Sequence, residues 1–166
     1  MAVAEIIGSA IGAMILIVVA YLLVGNVLSA AMVVSNAQKD LTQANEIRLH
    51  TDLTIINVTA PSGNAINLTV RNTGAEIIAD FAHTNVFVYT VGDRTGYSVY
   101  LYNATDTQTT GSWTGHILND YIHPGELDPG ESMYVNVYPV TVPPLFEVGV
   151  CTNNGVYVST IVQSST

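Results

Sequence analysis

The sequence predicts an α+β protein in which one long apolar N-terminal helix precedes an antiparallel β-sandwich. No charged residue occurs between Ile6 and Val34. After Thr51 the pattern changes to short β-type runs separated by Gly, Pro and Asn turns. Charged residues make up 10% of the 166-residue chain, against roughly 25% in an ordinary soluble domain. We therefore predict a helix over residues 1–50 and an extracellular β-sandwich domain over residues 51–166.

The apolar segment is long enough to cross a membrane, because a span needs about 20 apolar residues. Residues 35–50 keep a helical pattern and contain no Gly or Pro. We expect one continuous helix from about residue 3 to about residue 50, which at 1.5 Å per residue is roughly 70 Å long. That length is about twice the thickness of a bilayer core and favours a lever or a filament core over a simple span.

Small residues in this helix indicate close packing against other helices. Gly8 and Gly12 form a GxxxG pair, and Ala13 and Gly25 extend the set of small positions. Glu5 is the one acidic residue near the apolar start. It is either favoured in the first turn by the helix dipole or paired with the N-terminal amine of a neighbouring subunit. The predicted assembly residues are thus Glu5, Gly8, Gly12, Ala13 and Gly25.

The β domain is predicted from strand-like runs and the turns between them. Asn154-Gly155, between two such runs, is the clearest hairpin signal. Residues 106–131 are polar and glycine-rich, and we expect a long loop there, held to the sheet by Trp113, Ile117 and Leu118. The predicted strands are Leu53–Thr59, Ala65–Asn72, Asn85–Val91, Tyr97–Tyr102, Met133–Val140, Phe146–Thr152 and Val156–Val162.

Charge and cysteine content exclude a nucleic-acid-binding protein and an intrachain disulfide. Two basic and ten acidic residues follow residue 50, which gives that part a formal charge of −8. Such a surface repels nucleic acid and suits an exposed extracellular domain. Cys151 is the single cysteine, so no intrachain disulfide forms. We expect a small buried apolar residue, and the alternatives are an intermolecular disulfide or a reactive thiol.

Three N-glycosylation sequons begin at Asn57, Asn67 and Asn103. Each is a short motif that also occurs by chance in a chain rich in Thr and Asn. Together in an acidic domain behind an apolar helix, they predict that at least one carries glycan. Asn103 is the best placed, at the end of a predicted strand.

No catalytic motif is present, since the sequence lacks GxSxG, HExxH, P-loop and GxGxxG patterns. We therefore predict no enzyme activity, no cofactor and no metal site. Two weaker metal alternatives stay open beside ordinary turn chemistry. His116 and His123 lie seven residues apart, and calcium could be bound by oxygen atoms of Asn119, Asp120, Glu126, Asp128 and Glu131.

The chain resembles the archaeal type IV pilin-like superfamily, which includes archaellins, archaeal pilins and the archaellum accessory proteins F and G. The likeness lies in the apolar helix followed by a β domain, in the stretch Asn67–Gly74 with its Asn-Thr-Gly end, and in the segment Trp113–Glu131. Glu5 falls where processed type IV pilins have a glutamate. Pilin precursors carry a basic and a small residue before the cleavage point, and neither is present here. Either the chain is already processed, or residue 1 is the initiator and an accessory-type protein is favoured.

The resemblance implies an archaellin-like or Ig-like β-sandwich, a helical filament core and a place at the archaeal cell surface. The leading hypothesis is a subunit of a motility or adhesion filament, built from copies of this chain that sit in the membrane before assembly. The alternative is a membrane-anchored accessory or stator protein whose β domain binds the surface layer. A membrane-tethered enzyme or solute-binding domain is a third hypothesis, and it requires a deep polar pocket.

Overall fold

The protein, represented by a computed structural model, is described for residues 2–61, 64–92, 96–105 and 107–164. One helix, α1 (Ala2–His50), precedes eight strands. The chain divides into two compact units, one ending at Ala44 and the other starting at Asn45, and each is described by itself. The strands are β1 (Leu53–Thr59), β2 (Ile66–Asn72), β3 (Asn85–Thr90), β4 (Tyr97–Tyr102), β5 (Ser112–Leu118), β6 (Ser132–Val137), β7 (Leu145–Cys151) and β8 (Tyr157–Gln163).

Helix α1 is a single element of 49 residues, which confirms the predicted continuous helix. Its segment Val3–His50 is long and apolar enough to cross a membrane. The apolar residues surround the helix axis and form no single stripe, a distribution typical of helices that are covered on every side. Glu5 lies in the first turn and Arg48 and His50 in the last, where the helix dipole favours those charges.

The strands form one sheet in the order β1-β2-β6-β5-β4-β3-β7-β8. Neighbouring strands are antiparallel except β4 and β5, which are parallel over the short register Leu101↔Ser112 and Tyr102↔Trp113. This short pairing joins two four-stranded halves, β1-β2-β6-β5 and β4-β3-β7-β8. The outer strands β1 and β8 lie next to each other, so the sheet is nearly closed. The predicted β-sandwich architecture is confirmed.

One apolar core lies between the two halves of the sheet. Alternate residues of each strand point inward, for example Leu68 and Val70 of β2 and Val148 of β7. Trp113 and Phe146 are the largest fully buried side chains. The Trp113 Nε1–H donates a hydrogen bond to the Thr84 carbonyl at 3.2 Å, so the indole keeps a polar partner inside the core.

Most predicted strand limits are correct within three residues, but the expected loop over residues 106–131 is partly wrong. Its first half contains β5, which lies between β6 and β4 inside the sheet. Trp113 and Ile117 are buried as expected, whereas Leu118 is 39% exposed and does not anchor the segment. The burial pattern of β5 is not a strict alternation, because Thr114 is buried next to Trp113. A Cβ at Gly115 would come within 2.8 Å of the Met133 sulfur.

Two further expectations are tested by the β7–β8 hairpin. The hairpin signal at Asn154-Gly155 is confirmed, because β7 and β8 pair along their whole length. Gly155 has a φ of 80°, which a glycine adopts without strain. Cys151, at the end of β7, is half-buried rather than buried, so that prediction is wrong. Its strand position places it on the outer side of the sheet.

Candidate functional site

The surface of α1 is the first candidate site, because its large apolar side chains are exposed along the whole segment from Val3 to Val34. Covering one such side chain is worth about 1.5–3 kcal/mol, so covering the whole segment is worth some tens of kcal/mol. Water is therefore an unsuitable solvent for this helix. Lipid or other helices must surround it in the functional protein.

The predicted packing residues are spread along this exposed surface. A Cβ added at Gly8, Gly12 or Gly25 would meet no atom within 4 Å apart from the adjoining backbone of α1 itself. Packing within this chain therefore does not require glycine at these positions. Close contact with a neighbouring helix would require it. Ala13 and Glu5 are exposed as well. The assembly role of these residues and the two alternatives for Glu5 stay predictions.

A second site is the turn Asn72-Thr73-Gly74 at the end of β2, named here the NTG turn. The Asn72 side chain is fully buried. Its Nδ2 donates to the carbonyls of Glu76 at 2.7 Å and Leu127 at 2.9 Å, and its Oδ1 accepts from the Gly74 N–H at 3.1 Å. One amide thus binds three backbone groups and connects the segment 74–76 to the segment around Leu127. The stretch Asn67–Gly74 carries the family resemblance in the sequence, and its structural role appears only in the fold.

The residue after the NTG turn caps the last turn of α1, and the turn itself bonds the backbone just beyond the helix. The backbone N–H of Ala75 donates to the His50 carbonyl at 2.7 Å, and that of Gly74 donates to the Asp52 carbonyl at 3.1 Å. A Cβ at Gly74 would overlap the His50 carbonyl oxygen and the Asp52 nitrogen, so only glycine fits. Carbonyls at the C-terminal end of a helix need such partners.

The acidic loop over residues 119–131 is held by turn hydrogen bonds. Asp120 Oδ2 accepts from the Gly125 N–H at 2.7 Å, and Asp128 N–H donates to Glu131 at 3.1 Å. His123 Nδ1 lies 2.8 Å from the buried Asp128 carboxylate, and this hydrogen bond raises the pKa of His123. Within the described ranges no three acidic, His or Cys side chains are grouped as metal ligands. The hydrogen bonds of the loop are those of turns, and both the absence of a metal site and the calcium alternative stay predictions.

The first two sequons lie opposite each other on adjacent strands. Asn57 pairs in register with Thr69, and Asn67 pairs with Thr59. Asn57 is exposed and Asn67 is half-buried. Both side chains are on the outer side of β1 and β2, and their glycosylation stays a prediction.

The third sequon has a different geometry. Asn103 Oδ1 accepts hydrogen bonds from the Thr105 N–H at 3.1 Å and from the Thr105 hydroxyl at 2.7 Å. Its Nδ2 donates to the Thr107 carbonyl at 3.2 Å. The Asn and the Thr of this sequon are therefore in contact. In the two strand sequons, each Asn instead pairs in register with the Thr of the other sequon. Its glycosylation also stays a prediction.

A cleft of about 210 Å³ lies beside β5 and is lined by Phe81, Tyr102, His116 and Asp120 among others. Pockets that hold small molecules usually measure about 300–1,000 Å³, so this cleft is small for such a ligand. Asp120 Oδ1 is buried there, and no hydrogen-bond partner for it occurs in the described part of the chain. This cleft is therefore not the deep polar pocket that a solute-binding domain requires.

No protein-family model matches this sequence, and no curated protein matches it. Solved structures do. The archaellum periplasmic stator protein FlaG from Sulfolobus acidocaldarius is 21% identical, with a TM-score of 0.52 over 68% of this chain and 99% of that one. The fold is shared with archaellum proteins.

Two further structures agree with this result. The archaellum periplasmic stator complex of FlaF and FlaG from the same organism gives 21% identity and a TM-score of 0.50 over 66% of this chain and 87% of that one. The archaeal flagellin FlaB1 from Methanocaldococcus jannaschii gives 14% identity and a TM-score of 0.54 over 69% of this chain and 90% of that one. The resemblance inferred from the sequence is thus confirmed at the level of the fold.

Proposed function

We propose that this chain is a structural subunit of an archaeal type IV pilus-like surface filament, held together by packing of α1 against copies of itself. The observation that carries the proposal is the helix. Its charge-free segment over residues 6–34 is about 43 Å long at 1.5 Å per residue, and a bilayer core is about 30 Å thick. A filament core can cover the whole segment, while a single bilayer leaves part of it in water.

The composition of the β domain and the comparisons support the same proposal. A formal charge of −8 after residue 50 keeps an outward-facing domain in solution. The similarity to the archaeal flagellin FlaB1 covers 69% of this chain and supports a role as a filament subunit. In this proposal the helix is in lipid before assembly and among its own copies afterwards.

The test is assembly of the purified full-length chain. After slow removal of detergent, electron microscopy should show regular filaments that contain this chain alone. The variant Gly12→Leu adds bulk at a position predicted for close helix packing and should reduce filament yield strongly. Ala37→Leu adds a similar bulk outside the charge-free segment and is the matched control. A protein that stays monomeric when detergent is removed would contradict the proposal.

A second function is favoured by the similarity to FlaG, which extends over 99% of that structure. In this alternative the chain is a membrane-anchored archaellum accessory or stator protein, and its β domain binds the surface layer. The chain would then remain monomeric in lipid nanodiscs and bind purified archaeal surface-layer protein. Filaments formed by the chain alone, with no surface-layer binding, would exclude this alternative.

A position outside the cell has a consequence for the sequons. The mass of the native chain should exceed the sequence mass by at least one glycan, at Asn57, Asn67 or Asn103. Because Asn57 and Asn67 lie on adjacent strands in a diagonal arrangement about 7–8 Å apart, we expect one glycan rather than two on that pair. Peptide mapping by mass spectrometry checks both statements, and an unmodified native chain would contradict the first.

A further inference from the structure

The outer surface of the half-sheet β4-β3-β7-β8 carries an unusual concentration of exposed apolar side chains. Tyr97, Val99 and Leu101 alternate outward along β4 and are 58%, 45% and 61% exposed. In β8, Tyr157 and Ile161 point the same way and are 52% and 63% exposed. We name these five residues and Phe87 of β3 the aromatic face.

The aromatic face is a continuous surface, because its residues are neighbours across the strands. Phe87 pairs in register with Val99 and with Gly149. Its ring stacks on Tyr97 with centroids 5.6 Å apart and meets Tyr157 edge-on at 6.1 Å. Gly149 makes this arrangement possible, since a Cβ there would overlap the Tyr157 ring. The three rings thus form one row across four strands.

The charge distribution distinguishes this face from the remaining surface of the domain. Glu147 is the single charged residue in the four strands, all of which lie within the described residues. It is half-buried and pairs in register with Ile161, so the aromatic face has one carboxylate at its border. The outer side of the other half-sheet is polar, with Asn57, Thr69 and Asn136 along it. An antiparallel sheet with one face in solvent usually has polar residues on that face, and the aromatic face departs from this pattern.

We propose that the aromatic face is a contact surface for a second copy of this chain in the assembled filament, an inference that rests on the function proposed above. The domain is strongly acidic, so a second copy is repelled from most of its surface and approaches with least repulsion where charge is nearly absent. Two half-exposed tyrosines and the aliphatic residues beside them present on the order of 500 Å² of apolar area. A standard interface buries about 800 Å² on each partner, so this face can supply most of one.

The test compares the reactivity of tyrosines before and after assembly, and it needs no substitution. Full-length chain is iodinated with limiting reagent as detergent-solubilised monomer and again as assembled material. Modification of Tyr97 and Tyr157 should fall about tenfold on assembly. Tyr121, which is 83% exposed in the acidic loop, is the internal control and should change less than twofold. Unchanged reactivity of Tyr97 and Tyr157 in assembled material would overturn the inference.

A variant pair gives a second and independent measurement. Val99→Asp places a charge in the middle of the aromatic face and should reduce the assembled fraction at least tenfold. Asn136→Asp places the same charge on the polar half-sheet, outside the three sequons, and should leave the assembled fraction within twofold of the parent chain. Circular dichroism and Trp113 fluorescence check that both variants are folded. If Val99→Asp assembles like the parent chain, the inference is wrong and the filament proposal stands; a parent chain that never assembles refutes the filament proposal itself.

Discussion

Replacement of Asn72 by alanine should destabilise the β domain more than any comparable change of a surface asparagine. The side chain is fully buried and makes three hydrogen bonds, to the carbonyls of Glu76 and Leu127 and from the Gly74 N–H. A hydrogen bond contributes about 0.5–1.5 kcal/mol net, and a buried group left without its partner costs about 1–3 kcal/mol. We therefore expect Asn72→Ala to lower the free energy of unfolding by about 3 kcal/mol.

The assay uses Trp113, which is the sole tryptophan of the chain and is fully buried. Its fluorescence in the full-length protein in detergent follows unfolding of the β domain by urea. With a urea dependence of about 2 kcal/mol per molar, the midpoint should fall by roughly 1.5 M. Asn136→Ala, on the polar outer side of β6, is the matched control and should shift the midpoint by less than about 0.3 M. Equal shifts for the two variants would refute the view that the NTG turn depends on the Asn72 amide.

Three other predictions concern single residues. Gly74→Ala forces the backbone at His50 to move, so it should cost about 1–3 kcal/mol in the same urea assay, and a neutral result would contradict the close contact. The hydrogen bond to Asp128 raises the pKa of His123, so an NMR titration should give a midpoint above about 6.5, and Asp128→Asn should return it towards that value. Because the pKa of His123 is raised on folding, the stabilisation from this pair is complete below about pH 6.5 and is lost as pH rises through the folded pKa. A contribution of the pair to stability that increased over that pH range would contradict this prediction. Glu5→Gln should reduce filament yield sharply if Glu5 pairs with a neighbouring amine, whereas a role in the helix dipole alone is worth about 0.3–1 kcal/mol and should leave yield nearly unchanged.

Much of the fold could be predicted from the sequence, because the relevant signals are local. The charge-free run and the absence of Gly and Pro over residues 35–50 are sufficient to predict a helix that ends near His50. The predicted limits of β1 and β4 match the observed ones, because the helix end and a turn with Pro and Gly bound β1 and turn residues bound β4. The sheet order was not predictable in the same way. It depends on which strands meet across long separations, such as β2 with β6, and no local pattern records that choice.

Strand β5 shows where local reasoning fails. Its sequence Ser-Trp-Thr-Gly-His-Ile-Leu contains a glycine and a histidine and sits in a polar segment, so composition favours a loop. The structure places it between two other strands, where the Met133 side chain packs over Gly115 in the space that a Cβ would take. Thr114 is buried as well. Packing across the sheet thus decides the conformation of this segment, and that packing is not visible in seven consecutive residues.

The candidate sites also differ in how far the local sequence reveals them. The helix surface was predicted because exposure of an apolar segment follows from its composition alone. The Asn-Thr-Gly motif is visible in the sequence, but its physical role is not. That role depends on the Leu127 carbonyl, 55 residues away along the chain. The aromatic face could not be recognised at all, because alternating Tyr97, Val99 and Leu101 look like core residues of an ordinary strand. In the folded sheet, Tyr100 and Tyr102 of the same strand point into the core. Tyr97, Val99 and Leu101 therefore lie on the outer surface. Both faces of β4 are therefore apolar for different reasons: one is covered by this chain, and the other is covered, in our proposal, by the next copy.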